Sequence, residues 1–146
     1  MPPPIRRLFA LDARELRDLI RAQVALLQAE WRLKREPIGA LAIRDPSEAG
    51  PAAGDPVRAR ALARAVERAA THGIFRPYCL TRAMAIRALL ERDGIRGASI
   101  RVGVRRHQGE FQAHAWILWA HEVLGDRAEH VAQFTEVDDL RVLQRG

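Results

Sequence analysis

The sequence contains one cysteine, Cys79, and one lysine, Lys34, among its 146 residues. A single cysteine excludes an internal disulfide and any zinc site that needs two thiolates. No apolar run approaches the roughly 18 residues needed to cross a bilayer. Residues 1–7 also lack the apolar region of a signal peptide. We therefore expect a cytoplasmic protein without a membrane span.

Metal ligands and nucleic-acid signals are also scarce. His72, His107, His121 and His130 show no ligand spacing, so we expect no metal and no cofactor. The formal net charge is +6, but the arginines are scattered among acidic residues along the helices, as on a solvated face. Without a basic tail, nucleic acid is not an expected partner. The surplus charge can instead steer an acidic peptide.

Hydrophobic spacing and breakers divide the chain into parts of one expected domain, residues 1–146. An N-terminal helical part spans 12–43, in which an amphipathic helix runs from Asp12 to Arg35 and ends at Pro37. Its apolar stripe is expected to pack in the core and consists of Leu16, Ile20, Val24, Leu27 and Trp31. A flexible connection follows at 44–55, rich in proline and glycine. The catalytic core would then span 56–146.

Within this core, two further helices precede strands. Asp55 is the predicted N-cap of a helix that stops near Gly73. A broadly apolar central helix begins around Pro77 to Cys79 and ends at Asp93 and Gly94. Alternating residues then predict strands, which are 99–104, 111–118, Glu122–Asp126 and a fourth near Val131–Phe134. Helices followed by an antiparallel sheet indicate an α+β fold with the central helix packed on the sheet.

Cys79 falls at a helix start, where unpaired N–H groups stabilise the nucleophilic thiolate. His114, on a strand between two alanines, is the best candidate for the base that accepts the thiol proton. A hairpin turn centred on Ala120 would place Asp126 directly opposite His114, where the carboxylate could orient the imidazole. The sequence therefore predicts the catalytic residues Cys79, His114 and Asp126.

Simpler interpretations exist for each residue alone. A lone cysteine on a helix is commonly a buried and inert side chain. A lone histidine in a strand is more often structural, and His121, in the turn, is an alternative base. The joint pattern of a helix-start thiol, a strand histidine and an opposed aspartate favours a catalytic role over a structural one.

Four segments resemble the lasso-peptide leader peptidases, which belong to the transglutaminase-like and papain-like cysteine hydrolases. They are Cys79–Ala85, Ile100–Val104, Phe111–Trp116 and Val123–Asp126. The resemblance implies a papain- or transglutaminase-like fold and a Cys79–His114–Asp126 triad. It also implies that the enzyme removes the leader segment from a ribosomally made precursor peptide.

The resemblance further implies two partner proteins. A separate leader-recognition protein would present the precursor, because no strand-rich recognition module is apparent and the chain would be the stand-alone peptidase. An ATP-dependent cyclase would then close the released core into a lasso. Two alternatives stay open: an acyl transferase that uses the same triad, and a peptide-binding scaffold without turnover.

Overall fold

The computed structural model describes residues 11–36 and 50–137. The described residues form four helices and four strands. In chain order they are α1 (Ala13–Arg35), α2 (Pro56–His72), α3 (Cys79–Arg92), β1 (Ser99–His107), β2 (Glu110–Trp119), β3 (Glu122–Leu124), α4 (Ala128–Val131) and β4 (Thr135–Glu136). Three long helices before an antiparallel sheet confirm the predicted α+β fold.

The predicted start of α2 is fixed by its cap. The carboxylate of Asp55 accepts a hydrogen bond from the N–H of Val57 at 2.9 Å, and Pro56 occupies the first helical position. Proline suits this position because its missing N–H would have no helical partner there. Pro37, predicted to end the first helix, lies outside the described residues, as does the whole of 37–49.

The apolar stripe predicted for the core lies instead on the outer side of α1. Its side chains are 39–58% exposed, and they are Leu16, Ile20, Val24, Leu27 and Trp31. The helix buries a mainly small-residue face, made of Asp18, Ala22, Ala25, Leu26 and Ala29. Alanine lets neighbouring helices approach closely, whereas larger side chains would hold them apart. The prediction for this stripe is therefore wrong.

The core lies between the three long helices and one face of the sheet. Helix α3 contacts α1, α2, β1 and β2, as expected of the central helix. Its Leu89 and Leu90 are fully buried, as are Leu62 of α2 and Ile117 of β2. Burial of each such side chain contributes about 1.5–3 kcal/mol. This packing holds α3 against the sheet.

The strands pair antiparallel in the order β3-β2-β1-β4. Two strand predictions need correction. The predicted third strand, Glu122–Asp126, is shorter and ends at Leu124 because Gly125 takes a φ of +77°. The predicted fourth strand, Val131–Phe134, is not a strand. The chain forms α4 there, then a turn, and pairs with β1 only at Thr135–Glu136.

Two aspartates and two arginines join the three long helices, and we call them the helix charge cluster: Asp18, Arg21, Arg58 and Asp93. Arg58 donates to both carboxylate oxygens of Asp18 at 2.6 and 2.7 Å and to Asp93 at 3.0 Å. Arg21 donates to Asp93 at 2.6 Å. The hydrogen bond from Arg58 is the main cause that holds the pKa of Asp18 below its ordinary value, although burial opposes it.

Candidate active site

Cys79 is the first residue of α3. The preceding Tyr78 is extended and gives no side-chain hydrogen bond to the helix end. The first N–H groups of the helix therefore have no side-chain cap, and with the helix dipole they stabilise negative charge at this point. The thiol is half-buried and packs against the edge of the core. This is the position predicted for a nucleophile.

Strand β3 is much shorter than β2, so among the described residues part of β2 has no strand partner on that side. In a two-residue hairpin the residues that flank the turn, here Trp119 and Glu122, form a hydrogen-bonded pair. Every second residue of β2 therefore turns its N–H toward β3, which ends opposite Ile117. Two residues further along, the N–H of Ala115 donates to the Sγ atom of Cys79 over 3.4 Å.

His114 adjoins this thiol along the chain, because the amide that bonds the sulfur belongs to the peptide unit between His114 and Ala115. The Nε2 atom of His114 is hydrogen-bonded to the Oδ2 atom of Asp126. Among the described residues, no hydrogen bond uses Nδ1 of His114. Because Nε2 is held by the carboxylate, Nδ1 is the ring nitrogen left to exchange a proton with the thiol.

The contact between His114 and Asp126 arises from a different hairpin register than the sequence predicts. The turn contains two residues, Ala120 and His121, with φ values of +49° and +63°. A turn with two positive φ values is the type I′ geometry that matches strand twist. Trp119 consequently pairs with Glu122, so the predicted opposition of His114 and Asp126 within a ladder does not occur.

Gly125 brings Asp126 to the histidine instead. In a continued strand of the observed register, Asp126 would alternate to the opposite face from His114. The positive φ of Gly125 ends the strand and breaks this alternation. A Cβ at Gly125 would overlap the Cδ1 atom of Ile86, which is buried in α3. Both the conformation and the close approach therefore require glycine.

Three donors surround the carboxylate of Asp126. Besides His114, the N–H of Arg127 donates at 2.7 Å, and Nδ1 of His130 lies 3.2 Å from both oxygens. Burial by itself would raise the pKa of Asp126, but the hydrogen bonds of these donors outweigh it and hold the pKa below its ordinary value. Asp126 is therefore a carboxylate at neutral pH and can orient the His114 ring. We call Asp126, His114 and His130 the Asp126 cluster.

His130 was not predicted as part of the site. It lies four residues after Asp126, in the short helix α4 and just before the segment 131–134 that the sequence predicts as a strand. Its ring meets the His114 ring edge-on, with centroids 4.7 Å apart, and Phe134 packs against both rings. The only signal in the sequence is the four-residue spacing of an aspartate and a histidine, which brings the two side chains together only where the chain between them turns as in a helix.

His121, the alternative base, is exposed in the turn beyond Trp119. Trp119 is four residues along β2 from Ala115, whose amide marks the position of the thiol. At about 3.3 Å per residue the separation is roughly 13 Å. This separation is too long for direct proton transfer between His121 and Cys79, so the geometry favours His114.

A comparison with family models identifies the superfamily of this chain. The model of the transglutaminase-like superfamily matches residues 12–138. The chain belongs to that superfamily. Comparisons with curated proteins and with solved structures give no significant match.

Members of the transglutaminase-like superfamily are generally cysteine proteases or acyltransferases, and both reactions begin with thiol attack on an acyl carbon. The arrangement of Cys79, His114 and Asp126 can perform that step. Within the described ranges, no helix is long and apolar enough to cross a membrane.

Proposed function

We propose that this protein is a cysteine peptidase that removes the leader segment from a ribosomally synthesised lasso-peptide precursor. Two contacts of adjacent residues together carry the proposal: the Ala115 amide bonds the Cys79 thiol at a helix start, and the preceding His114 is held by Asp126. The four sequence segments that resemble leader peptidases support the substrate class.

In this proposal Cys79 Sγ attacks the carbonyl carbon of the scissile peptide bond, and the thiol proton passes to Nδ1 of His114. The imidazolium then gives that proton to the leaving amine, and the acyl group stays on sulfur as a thioester. Water hydrolyses the thioester with His114 again as base. Asp126 holds the ring orientation throughout. The N–H of Cys79, at the helix start, is a donor for the developing oxyanion.

The open edge of β2 supports a peptide substrate. Residues 110–113 are exposed, and within the part of the chain that the structure describes they pair with β1 on one side and with no strand on the other. By the alternation that aims the Ala115 N–H at Cys79, the N–H and C=O groups of Phe111 and Ala113 face away from β1. An extended peptide can add to such an edge as a further strand, in line with the thiol.

The proposal includes two partner proteins. A separate leader-recognition protein would present the precursor, and an ATP-dependent cyclase would use the released core. Both follow from the resemblance to leader peptidases. An acyl transferase is the second candidate, because the same thioester intermediate would react with an amine in place of water.

Reconstitution with the precursor, the recognition protein and a Cys79→Ala variant tests the proposal. We expect mass spectrometry to show leader release by the natural chain and a loss of at least about a thousandfold in the variant. Continued cleavage by the variant would rule out thiol catalysis. An amine adduct on the leader fragment would instead identify a transferase, and no turnover by either chain would favour a scaffold.

N-methylation of single substrate amides tests strand addition. Alternate positions of an added strand bond to the edge, so inhibition by methyl groups should recur at every second residue near the cleavage site. We expect a rise in KM of about tenfold at sensitive positions, since each lost hydrogen bond costs on the order of 1 kcal/mol. Uniform sensitivity along the peptide would argue against this mode of binding.

A further inference from the structure

The Asp126 cluster contains more ligands than a triad needs. A triad requires one imidazole on the carboxylate, yet His130 places a second ring nitrogen 3.2 Å from both oxygens of Asp126. One ligand atom from each of His114, Asp126 and His130 lies within 4.8 Å of the other two. The three side chains come from β2, the loop after β3 and α4, so the fold, rather than sequence proximity, brings them together.

We propose that these three side chains form a binding site for a divalent transition metal, with zinc as the best-suited ion. Zinc is bound by histidine nitrogen at about 2.0–2.1 Å and by carboxylate oxygen at about 2.0–2.2 Å. In a tetrahedral site the ligand atoms are then about 3.3 Å apart. The distance of 3.2 Å between Nδ1 of His130 and each oxygen of Asp126 is close to this value. The contact between His114 and Asp126 is shorter, so it must lengthen to admit the ion.

The chemistry of the ligand set favours zinc over calcium or magnesium. Two imidazoles and one carboxylate are borderline ligands, whereas calcium and magnesium take oxygen ligands almost exclusively. Three protein ligands also leave a fourth coordination position, which water can fill. The side chains of His114, Asp126 and His130 are 17–30% exposed, so an ion can reach them from solvent.

A bound ion would inhibit the reaction proposed above, and this consequence rests on the proposed function. Coordination uses the Nε2 lone pair of His114 and replaces its hydrogen bond to Asp126 by a metal bond. The one hydrogen of the neutral ring, which Nε2 otherwise donates to Asp126, must then lie on Nδ1, the nitrogen that must accept the Cys79 proton. The metal therefore removes both the base and its orientation. His130 makes this inhibition specific, because it supplies the third ligand.

Zinc binding is measured first in the Cys79→Ala background, which removes the thiol as a competing ligand and needs no activity. We expect one zinc ion per chain by calorimetry. Cobalt substitution should give the intense visible bands of a tetrahedral nitrogen–oxygen site. His130→Phe keeps an aromatic ring against Phe134 and should weaken zinc binding at least about tenfold, as should His130→Ala. His72→Ala, at an exposed helix end, should bind as the parent does.

Sub-stoichiometric binding in Cys79→Ala, or equal weakening by the His72 and His130 substitutions, would show only adventitious zinc and overturn the site. Circular dichroism checks that each variant is folded, and the cobalt spectrum of the parent tests the site even if both His130 variants unfold.

Inhibition is measured separately in the chain with Cys79. Each variant's rate is normalised to its own rate in EDTA. We expect His130→Phe to need at least about ten times more free zinc for half-inhibition than the unsubstituted chain. Equal zinc sensitivity would place inhibition at the thiol alone and overturn the inhibitory role. No cleavage by any chain in EDTA would count against the proposed peptidase and leave the binding measurements unaffected.

Discussion

The helix charge cluster and the Asp126 cluster are both built around aspartates whose pKa is lowered by neighbouring donors. In the helix charge cluster the donors are arginines, which remain charged at every ordinary pH. In the Asp126 cluster two of the donors are imidazoles, which can carry a proton on either ring nitrogen or on both. Only the second cluster adjoins a thiol. The partner type, more than burial or a lowered pKa, separates a structural carboxylate from a candidate catalytic one.

The difference extends to what each cluster joins. The helix charge cluster links α1, α2 and α3 through four hydrogen-bonded side chains, and each guanidinium is occupied by carboxylates. The Asp126 cluster joins a strand to the short connection that follows β3, and one nitrogen of His114 has no hydrogen bond among the described residues. The first arrangement resists helix separation. The second holds a ring in place and leaves it able to react.

Asp126→Ala should have the largest effect. It removes the carboxylate that orients His114, so we expect the rate of leader cleavage to fall by about 10²–10⁴. The unfolding free energy should change much less, because Asp126 lies at the edge of the sheet. Cleavage kinetics and urea unfolding of the same preparation measure the two effects. An unchanged rate would show that the contact with His114 has no catalytic role.

Asp18→Ala should give the opposite pattern. Asp18 is 6% exposed, and its removal leaves Arg58 without its two shortest hydrogen bonds. Loss of one partner of a buried pair costs about 3–5 kcal/mol, and we expect the lower end because Asp93 still contacts Arg58. The rate per folded molecule should stay within about twofold of the natural chain, since α1 supplies no residue of the triad. A matching loss of rate would mean that the two clusters are coupled.

Much of this fold and of the candidate site can be predicted from interactions between residues that are close in the sequence. Asp55 and Pro56 predict a helix start because capping depends on neighbouring atoms only. The prediction of a helix-start thiol and a strand histidine uses the same kind of local reasoning. The buried face of α1 is not predictable in this way, because Leu16 and Ile20 outweigh alanine in a hydrophobic pattern, whereas close helix packing favours alanine.

The remaining errors concern the register of the β2–β3 hairpin and the direction of the chain after β3, both of which depend on backbone angles. The residue types of Ala120 and His121 do not predict a two-residue turn with positive φ values, since glycine and asparagine are the usual residues at such turn positions. The predicted hairpin register is therefore wrong by one residue. Asp126 still meets His114 because Gly125 compensates for the shift. The contact of His130 with Asp126 depends on the helical turn at 128–131, which the sequence pattern does not predict.

Gly125→Ala should have an intermediate effect, and it tests how the Asp126 cluster is assembled. Alanine would have to adopt a φ of +77° and would overlap Ile86. We expect displacement of Asp126 and a fall in cleavage rate of about ten- to a hundredfold. Gly94→Ala is the matched control, because Gly94 also has a positive φ, of +73°, but open space around its Cβ position. That control should lose about 1 kcal/mol of stability and keep its rate. Equal rate losses in the two variants would assign the effect to backbone strain alone.

Acidification tests the helix charge cluster. Of the four predictions in this comparison, it should have the smallest effect. The hydrogen bonds from Arg58 to Asp18 and from Arg21 to Asp93 are the leading causes that hold both pKa values below 3.8. The unfolded chain therefore binds protons at a higher pH than the folded chain does. The resulting stabilisation is complete above about pH 5 and is lost as the pH falls through the folded pKa values, below about pH 4.

Urea unfolding between about pH 6 and pH 2.5 measures this dependence. The curves of the natural chain and of Asp18→Ala should converge at low pH, because protonation removes from the natural chain the interaction that the variant already lacks. Asp126→Ala keeps the helix charge cluster, so it should retain the acid dependence that this cluster supplies. Parallel curves for the natural chain and Asp18→Ala would show that the arginines do not favour the ionised form of Asp18. The stabilising role assigned to the cluster would then rest on packing alone.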